Sequence, residues 1–280
     1  PVFEITNGIT NFITLKGYKH NTKFKLKAFI NTPDGRIILD STDYIALQNR
    51  KYNHAEVSLI IPAYNAQDFI VRGIDNALAS NFDDLEIIIA DDGSTDRTWE
   101  ILEWYAKNYP NIKIFKKENG GAADTRNFCI KMAQGKYIQF MDGDDLIKPD
   151  MICSLYNSIT KNNCQVAIST FYRLKNDGFH LNGNFPFHTD CPISTDEFLK
   201  INYTKHSSGN NAIWNKLYDA NIVKEHLLPK LNNEDVAWTP YIISWIDKFC
   251  FISIPFYVYD RITRPETLIT LQSKRLINEA

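Results

Sequence analysis

Between Val57 and Met141 the chain repeats one pattern: a short apolar run, a polar loop, then a stretch of helical character. The runs are "VSLIIPA", "LEIIIA", "NIKIFKK" and "KYIQFM", and the helical stretches span Gln67 to Ser80, Thr95 to Asn108 and Ala122 to Gln134. Strands apolar at nearly every position lack a solvent face and must be covered on both sides. Alternating with helices, they specify a mostly parallel sheet in an α/β sandwich. Ligands in such folds bind beyond the carboxyl ends of the strands.

Those ends read "PAYN", "DDGSTD", "ENGGAADTRN" and "DGDD" in chain order. Any one is an ordinary polar loop; four in succession, loaded with acids, amides and an arginine, read as the rim of one site. In the last, Asp142 and Asp144 flank Gly143, whose missing side chain lets the backbone approach a ligand. Carboxylates this close repel one another. A divalent cation that bridges them to a diphosphate is a fitting partner, Mn2+ or Mg2+ by their preference for oxygen ligands. Pro149 and Asp150 after this loop mark a helix start. Asp91 and Asp92 have two compatible readings. They favour the N-terminus of a helix capped by Ser94 or Thr95, or accept the N–H of a nucleobase or a ribose hydroxyl. "NGGAADTRN" opens a helix through Gly121 with Arg126 near its first turn, and either approaches a phosphate or positions the acids. No G-x-x-x-x-G-K-[ST] occurs and no G-x-G-x-x-G follows a strand, which removes the P-loop and dinucleotide-binding readings.

The 44% hydrophobic content supports a sizeable core, and 31 basic against 33 acidic residues leave no global field for nucleic acid or an anionic membrane. No apolar run approaches the ~20 residues that span a bilayer, and no signal peptide opens the chain. It starts at Pro1 rather than Met, as an excised or processed chain would. Cys129, Cys153, Cys164, Cys191 and Cys250 never form C-x-x-C and read as reduced thiols, and the six histidines lack zinc-ligand spacing. Residues 1–54 differ in texture, with alternating β-like runs around the turn sequence "TPDG", and read as a small β-rich extension that ends in the polar stretch Gln48 to Glu56.

Taken together, "VSLIIPAYN", "LEIIIADDGSTD", "NGGAADTRN" and "YIQFMDGDD" closely resemble the family 2 glycosyltransferases, inverting enzymes with the GT-A fold. The resemblance implies a GT-A domain over residues 55–280, with a nucleotide-binding half, 55–150, and an acceptor-binding half, 151–280. It places Pro62, Ala63, Tyr64 and Asn65 at the base pocket, with Tyr64 against the uracil, Asp92 on its N3–H and Asp91 close by. Asp142 and Asp144 become the D-x-D, Asp144 on the metal and Asp142 on the ribose or the metal, with Asp145 in support. "NAIWNKLYDANIV" resembles the segment that lines the sugar and acceptor side in bacterial capsule and lipooligosaccharide transferases, which offers Trp214 to a sugar face and Lys216 to the diphosphate. "LNNEDVAWTPY" resembles the Glu-Asp motif, with Asp235 as catalytic base and Glu234 its neighbour.

The implied activity is metal-dependent transfer of a hexosyl or N-acetylhexosaminyl group from a UDP-sugar to a saccharide or glycolipid hydroxyl in bacterial surface polysaccharide synthesis. The implied setting is the cytoplasm or the inner membrane face. One domain of a larger polysaccharide polymerase, with peripheral membrane association or further domains, and a non-catalytic nucleotide-sugar-binding module are the competing readings. A phosphohydrolase needs its aspartate pair after the first strand, whereas here it follows the fourth. The aromatic stretch from Phe171 to His188 reads as a hairpin and loop near the acceptor, and Arg261 and Arg264 as a basic pair over the diphosphate.

Overall fold

The computed structural model describes residues 23–32, 35–45, 55–182, 192–204, 211–231 and 233–262. Cys191, Arg264, residues 183–188 of the aromatic stretch and the rest of the N-terminal extension lie outside the described residues. The chain divides into two compact units, residues 1–50 and 51–280. In the first, β1 (Lys23–Thr32) and β2 (Gly35–Ile45) pair antiparallel, Lys23 opposite Ile45 and Thr32 opposite Gly35.

The second unit begins with β3 (Val57–Ala63), α1 (Ile70–Leu78), β4 (Leu85–Asp91), α2 (Thr98–Asn108), β5 (Ile112–Lys116), α3 (Ala122–Met132) and β6 (Tyr137–Phe140). Next come β7 (Leu146–Ile147), α4 (Met151–Lys161), β8 (Val166–Lys175), β9 (Gly178–Asn182), β10 (Pro192–Ser194) and α5 (Thr195–Thr204). It ends with β11 (Lys216–Asp219), α6 (Ala220–Glu225), α7 (Glu234–Ile243) and β12 (Lys248–Asp260). The main sheet runs in the order β10-β12-β8-β11-β6-β3-β4-β5. β6, β3, β4 and β5 are parallel, β11 is antiparallel to both β6 and β8, and β12 is parallel to β8. The carboxyl ends of β3, β4, β5, β6, β8 and β12 therefore open on one edge of the sheet, where the beginning of β11 also lies.

β4 is buried at every position and β3 at all but one, as strands packed on both faces must be. The expected helices start later than periodicity alone indicates, because side chains capture the intervening backbone. The Ala66 N–H donates to Thr98 Oγ1 at 2.7 Å, the Gln67 N–H to Asp96 Oδ2 at 3.1 Å, and the Thr98 N–H to Asp96 Oδ1 at 2.9 Å. These bonds hold residues 65–67 and 94–97 as two interlocked loops and delay both helices. α3 stops at Met132 for a related reason: the Gln134 and Gly135 N–H groups donate to Glu86 Oε1 at 2.7 and 3.1 Å. Among the described residues, no helix is long and apolar enough to cross a membrane.

Glu86 anchors the edge of the sheet opposite the strand ends. It is fully buried, accepts from Ser58 Oγ and from two backbone N–H groups, and pairs with Lys113 Nζ at 2.7 Å. Burial works to raise its pKa, yet the bonds from Lys113, Ser58 and Gln134 hold it below the usual value. Glu86→Ala would strand three donors and a lysine, and is expected to lower the unfolding free energy by on the order of 3 kcal/mol in urea titrations.

Candidate active site at the strand ends

The D-x-D loop is gripped from two sides. On one side lies α1: Ile70 packs so closely on Gly143 that an added Cβ there would sit 2.9 Å from Ile70 Cδ1, and a Cβ on Gly73 would overlap the Gly143 carbonyl. Gly143 therefore admits a helix. From the same helix Arg72 Nη2 donates to the Asp144 carbonyl at 2.6 Å, and Asn76 Oδ1 accepts the Ile147 N–H at 2.6 Å. On the other side lies β12. The Tyr257 hydroxyl donates to Asp145 Oδ2 at 2.6 Å and accepts the Asp142 N–H at 3.2 Å, while the Asp260 N–H donates to Asp145 Oδ1 at 2.8 Å. Asp145 is buried, and burial plus the charges of Asp142 and Asp144 push its pKa well up. Asp142 and Asp144 are only partly buried, so they are the two acids that face the rim.

Arg126, in the second turn of α3, connects this loop to the Glu-Asp motif. Its Nη2 donates to Asp142 Oδ1 at 2.6 Å and its Nη1 to Glu234 Oε1. The arginine is 6% exposed. Of the two readings open for Arg126, the geometry supports the one in which it positions acids. Asp235 lies next to Glu234 in the first turn of α7, half-buried, and accepts the Val236 N–H at 2.9 Å. Burial raises its pKa, and Glu234 and Asp142 add to the rise while Arg126 opposes it.

On the β3–β4 side, Asn65 sits at φ 46° and its Oδ1 accepts the Thr95 N–H at 2.9 Å, while Tyr64 is 44% exposed at the rim beside Pro62 and Ala63. Asp92 is buried and accepts from Gly120 N–H at 2.9 Å, Gly121 N–H at 2.8 Å and Lys117 Nζ at 2.6 Å, so it shapes the loop before α3. Gly121 takes φ 85°, a backbone that side chains rarely adopt, to start that helix. Asp91 accepts from Ser94 through Oδ1, and its buried Oδ2 has no hydrogen-bond partner among the described residues.

Lys216 requires a correction. It is 1% exposed at the start of β11, and its Nζ donates to the Ala212 carbonyl and to Asn215 Oδ1 at 2.9 Å, so it cannot meet a diphosphate here. Burial lowers its pKa to about 7, while Asp235 pulls the other way. Trp214 is likewise buried, stacked on Tyr257 with ring centroids 4.1 Å apart, rather than open to a sugar face. Lys216 and Trp214 brace the loop before β11, along with Thr239 Oγ1, which donates to the Asn211 carbonyl at 2.7 Å, and Gln139 Nε2, which donates to that of Trp214 at 2.5 Å.

Sequence reasoning missed Arg72, Gly73, Asn76, Tyr257 and Asp260. One signal was available: a glycine inside the helical stretch "IVRGIDNAL" carries a helix penalty of about 1 kcal/mol and so marks a close approach.

The model for "Glycosyl transferase family 2" matches residues 58–227, more than half of the chain. The chain belongs to this family. The glycosyltransferase EpsJ of Bacillus subtilis is 40% identical over 121 residues, 43% of this chain and 35% of that protein. The chain thus spans little more than a third of that relative. Residues 1–349 of S. aureus TarS, solved in complex with UDP-GlcNAc, superpose with TM-score 0.63 at 21% identity, covering 79% of this chain and 65% of that one. A mannosyltransferase from Pyrobaculum calidifontis in complex with GDP-Man and Mn2+ gives TM-score 0.54 at 16% identity, with 81% and 66% covered. These two likenesses establish the shared GT-A architecture. The segments Asp142-Gly143-Asp144 and Glu234-Asp235, 92 positions apart in sequence, meet through Arg126.

Arg126→Met would leave Asp142 and Glu234 facing one another across an uncharged side chain. The expected loss of unfolding free energy is about 3–5 kcal/mol, read by urea denaturation.

Proposed function

We propose that the chain is an inverting glycosyltransferase domain that moves a sugar from a UDP-sugar to a hydroxyl of a saccharide acceptor, in the synthesis of a bacterial surface polysaccharide. The observation that carries this reading is the Arg126 bridge, which sets the D-x-D beside an acid whose pKa is raised. TarS, solved with UDP-GlcNAc, supports the choice of UDP. The uracil would lie along Pro62, Ala63 and Tyr64, with its N3–H toward the vacant oxygen of Asp91 and with Asp92 holding the adjoining loop through Gly121.

Asp235 takes the proton of the acceptor hydroxyl as its oxygen attacks the anomeric carbon and the bond to the diphosphate breaks. A single displacement inverts the anomeric configuration. Among the described residues, no group of three or more metal-binding side chains occurs. Two rim carboxylates fit an ion that draws its remaining ligands from phosphate and water. Mn2+ or Mg2+, held by Asp144 and Asp142, would stabilise the charge that develops on the departing diphosphate.

The test is thermal unfolding with UDP and Mn2+. At a hundredfold excess over Kd the pair should stabilise the chain by about 2.7 kcal/mol. Asp144→Ala should abolish the Mn2+-dependent part, and the absence of any shift in the unaltered chain would overturn the reading. Asp235→Asn should lower kcat by about 10²–10⁴-fold with UDP binding intact. The working form of Asp235 is the carboxylate and its pKa is raised, so activity is lost as pH falls through that raised value. The acid limb of kcat should lie above the ordinary aspartate range.

A further inference from the structure

Four residues of α1 address one loop. Ile70 and Gly73 close on Gly143, Asn76 holds the Ile147 N–H, and Arg72 reaches the Asp144 carbonyl. The first two are steric and the third ends the loop. The fourth is different in kind, because Arg72 Nη2 also pairs with Asp260 Oδ2 at 2.7 Å, on a side chain that is 1% exposed. One nitrogen thus joins the backbone of the second D-x-D acid to the last residue of β12. Asp260 in turn donates its N–H to Asp145 and accepts the Ile262 N–H. A peptide carbonyl fixed at its oxygen cannot rotate freely, and the orientation of that peptide sets where the Asp144 carboxylate points. If Arg72 were present only to tie α1 to β12, the ion pair with Asp260 would suffice. The bond to the Asp144 carbonyl adds nothing to that tie.

We propose that Arg72 is a positioning residue that sets the Asp144 carboxylate for the divalent ion by clamping the Asp144 carbonyl against Asp260. The inference rests on the metal-dependent reading above. Arg72 bonds to Asp144 and Asp260 and to none of Pro62, Ala63 and Tyr64 among the described contacts, so the base pocket proposed along those three should not sense its loss.

The experiment is calorimetric titration of UDP into the chain, once in EDTA and once with saturating Mn2+, and the ratio of the two Kd values is read. The unaltered chain gives a Mn2+-dependent gain in affinity. Arg72→Met should cut that gain at least fivefold while it changes the Kd in EDTA less than twofold, whereas general loosening of the fold would move both. Arg72→Lys, which keeps a cationic donor, should recover more than half of the gain. Asp260→Asn retains the Asp260 N–H bond to Asp145 and should cut the gain by about threefold. This variant carries the test if Arg72→Met does not fold. An unchanged gain in Arg72→Met, or in Asp260→Asn in that event, overturns the clamp. No gain in the unaltered chain overturns both the clamp and the metal-dependent reading, whereas a normal gain there with normal gains in the variants overturns the clamp alone.

Discussion

Two carboxylates, Asp142 on the loop after β6 and Glu234 at the start of α7, share one guanidinium that water scarcely reaches. Charge in such a place is costly unless neutralised, so the buried guanidinium is tolerable only while the two acids stay. The pairing locks two segments far apart in sequence into one wall, and Asp235, next to Glu234, inherits its place from that lock. The geometry of the whole site follows from it: the D-x-D on one side of Arg126, the Glu-Asp pair on the other, and the strand ends of β3 and β4 alongside.

The remaining supports keep the acids from relaxing apart. Tyr257 holds the D-x-D loop through the Asp142 N–H and the Asp145 carboxyl, and the same ring stacks on Trp214 in the loop before β11. One aromatic ring therefore couples the loop after β6 to the loop before β11. Lys216, deprived of water, serves that wall from beneath by holding the Ala212 carbonyl. Repulsion among Asp142, Asp144 and Asp145 is managed unequally. Asp145 is buried with its pKa pushed well up, which leaves Asp142 and Asp144 as the two carboxylates at the rim.

The parallel half of the sheet was legible because buried strands write themselves as continuous apolar runs, and its strand-end loops follow from the direction of those strands. Asp142, Asp144, Arg126 and Asp235 were legible as members of motifs. What their side chains bond to was not, since Arg72, Tyr257 and Asp260 reach the loop from 72 to 115 positions away along the chain. Lys216 misled because a lysine in an amide-rich segment reads as solvated. Its burial follows from the placement of β11 between β6 and β8, a pairing that no local pattern encodes. The hydrogen bonds of Asp92 were not legible because the backbone donors of Gly120 and Gly121 reach it only once β5 lies beside β4.

The claim that Arg126 makes one unit of the two motifs is tested most directly by a double-mutant cycle of Asp142→Asn and Glu234→Gln, read as unfolding free energy. Two acids bound to one buried cation should show a coupling of at least about 1 kcal/mol; additivity within about 0.5 kcal/mol would show that the two motifs stand independently and contradict the account.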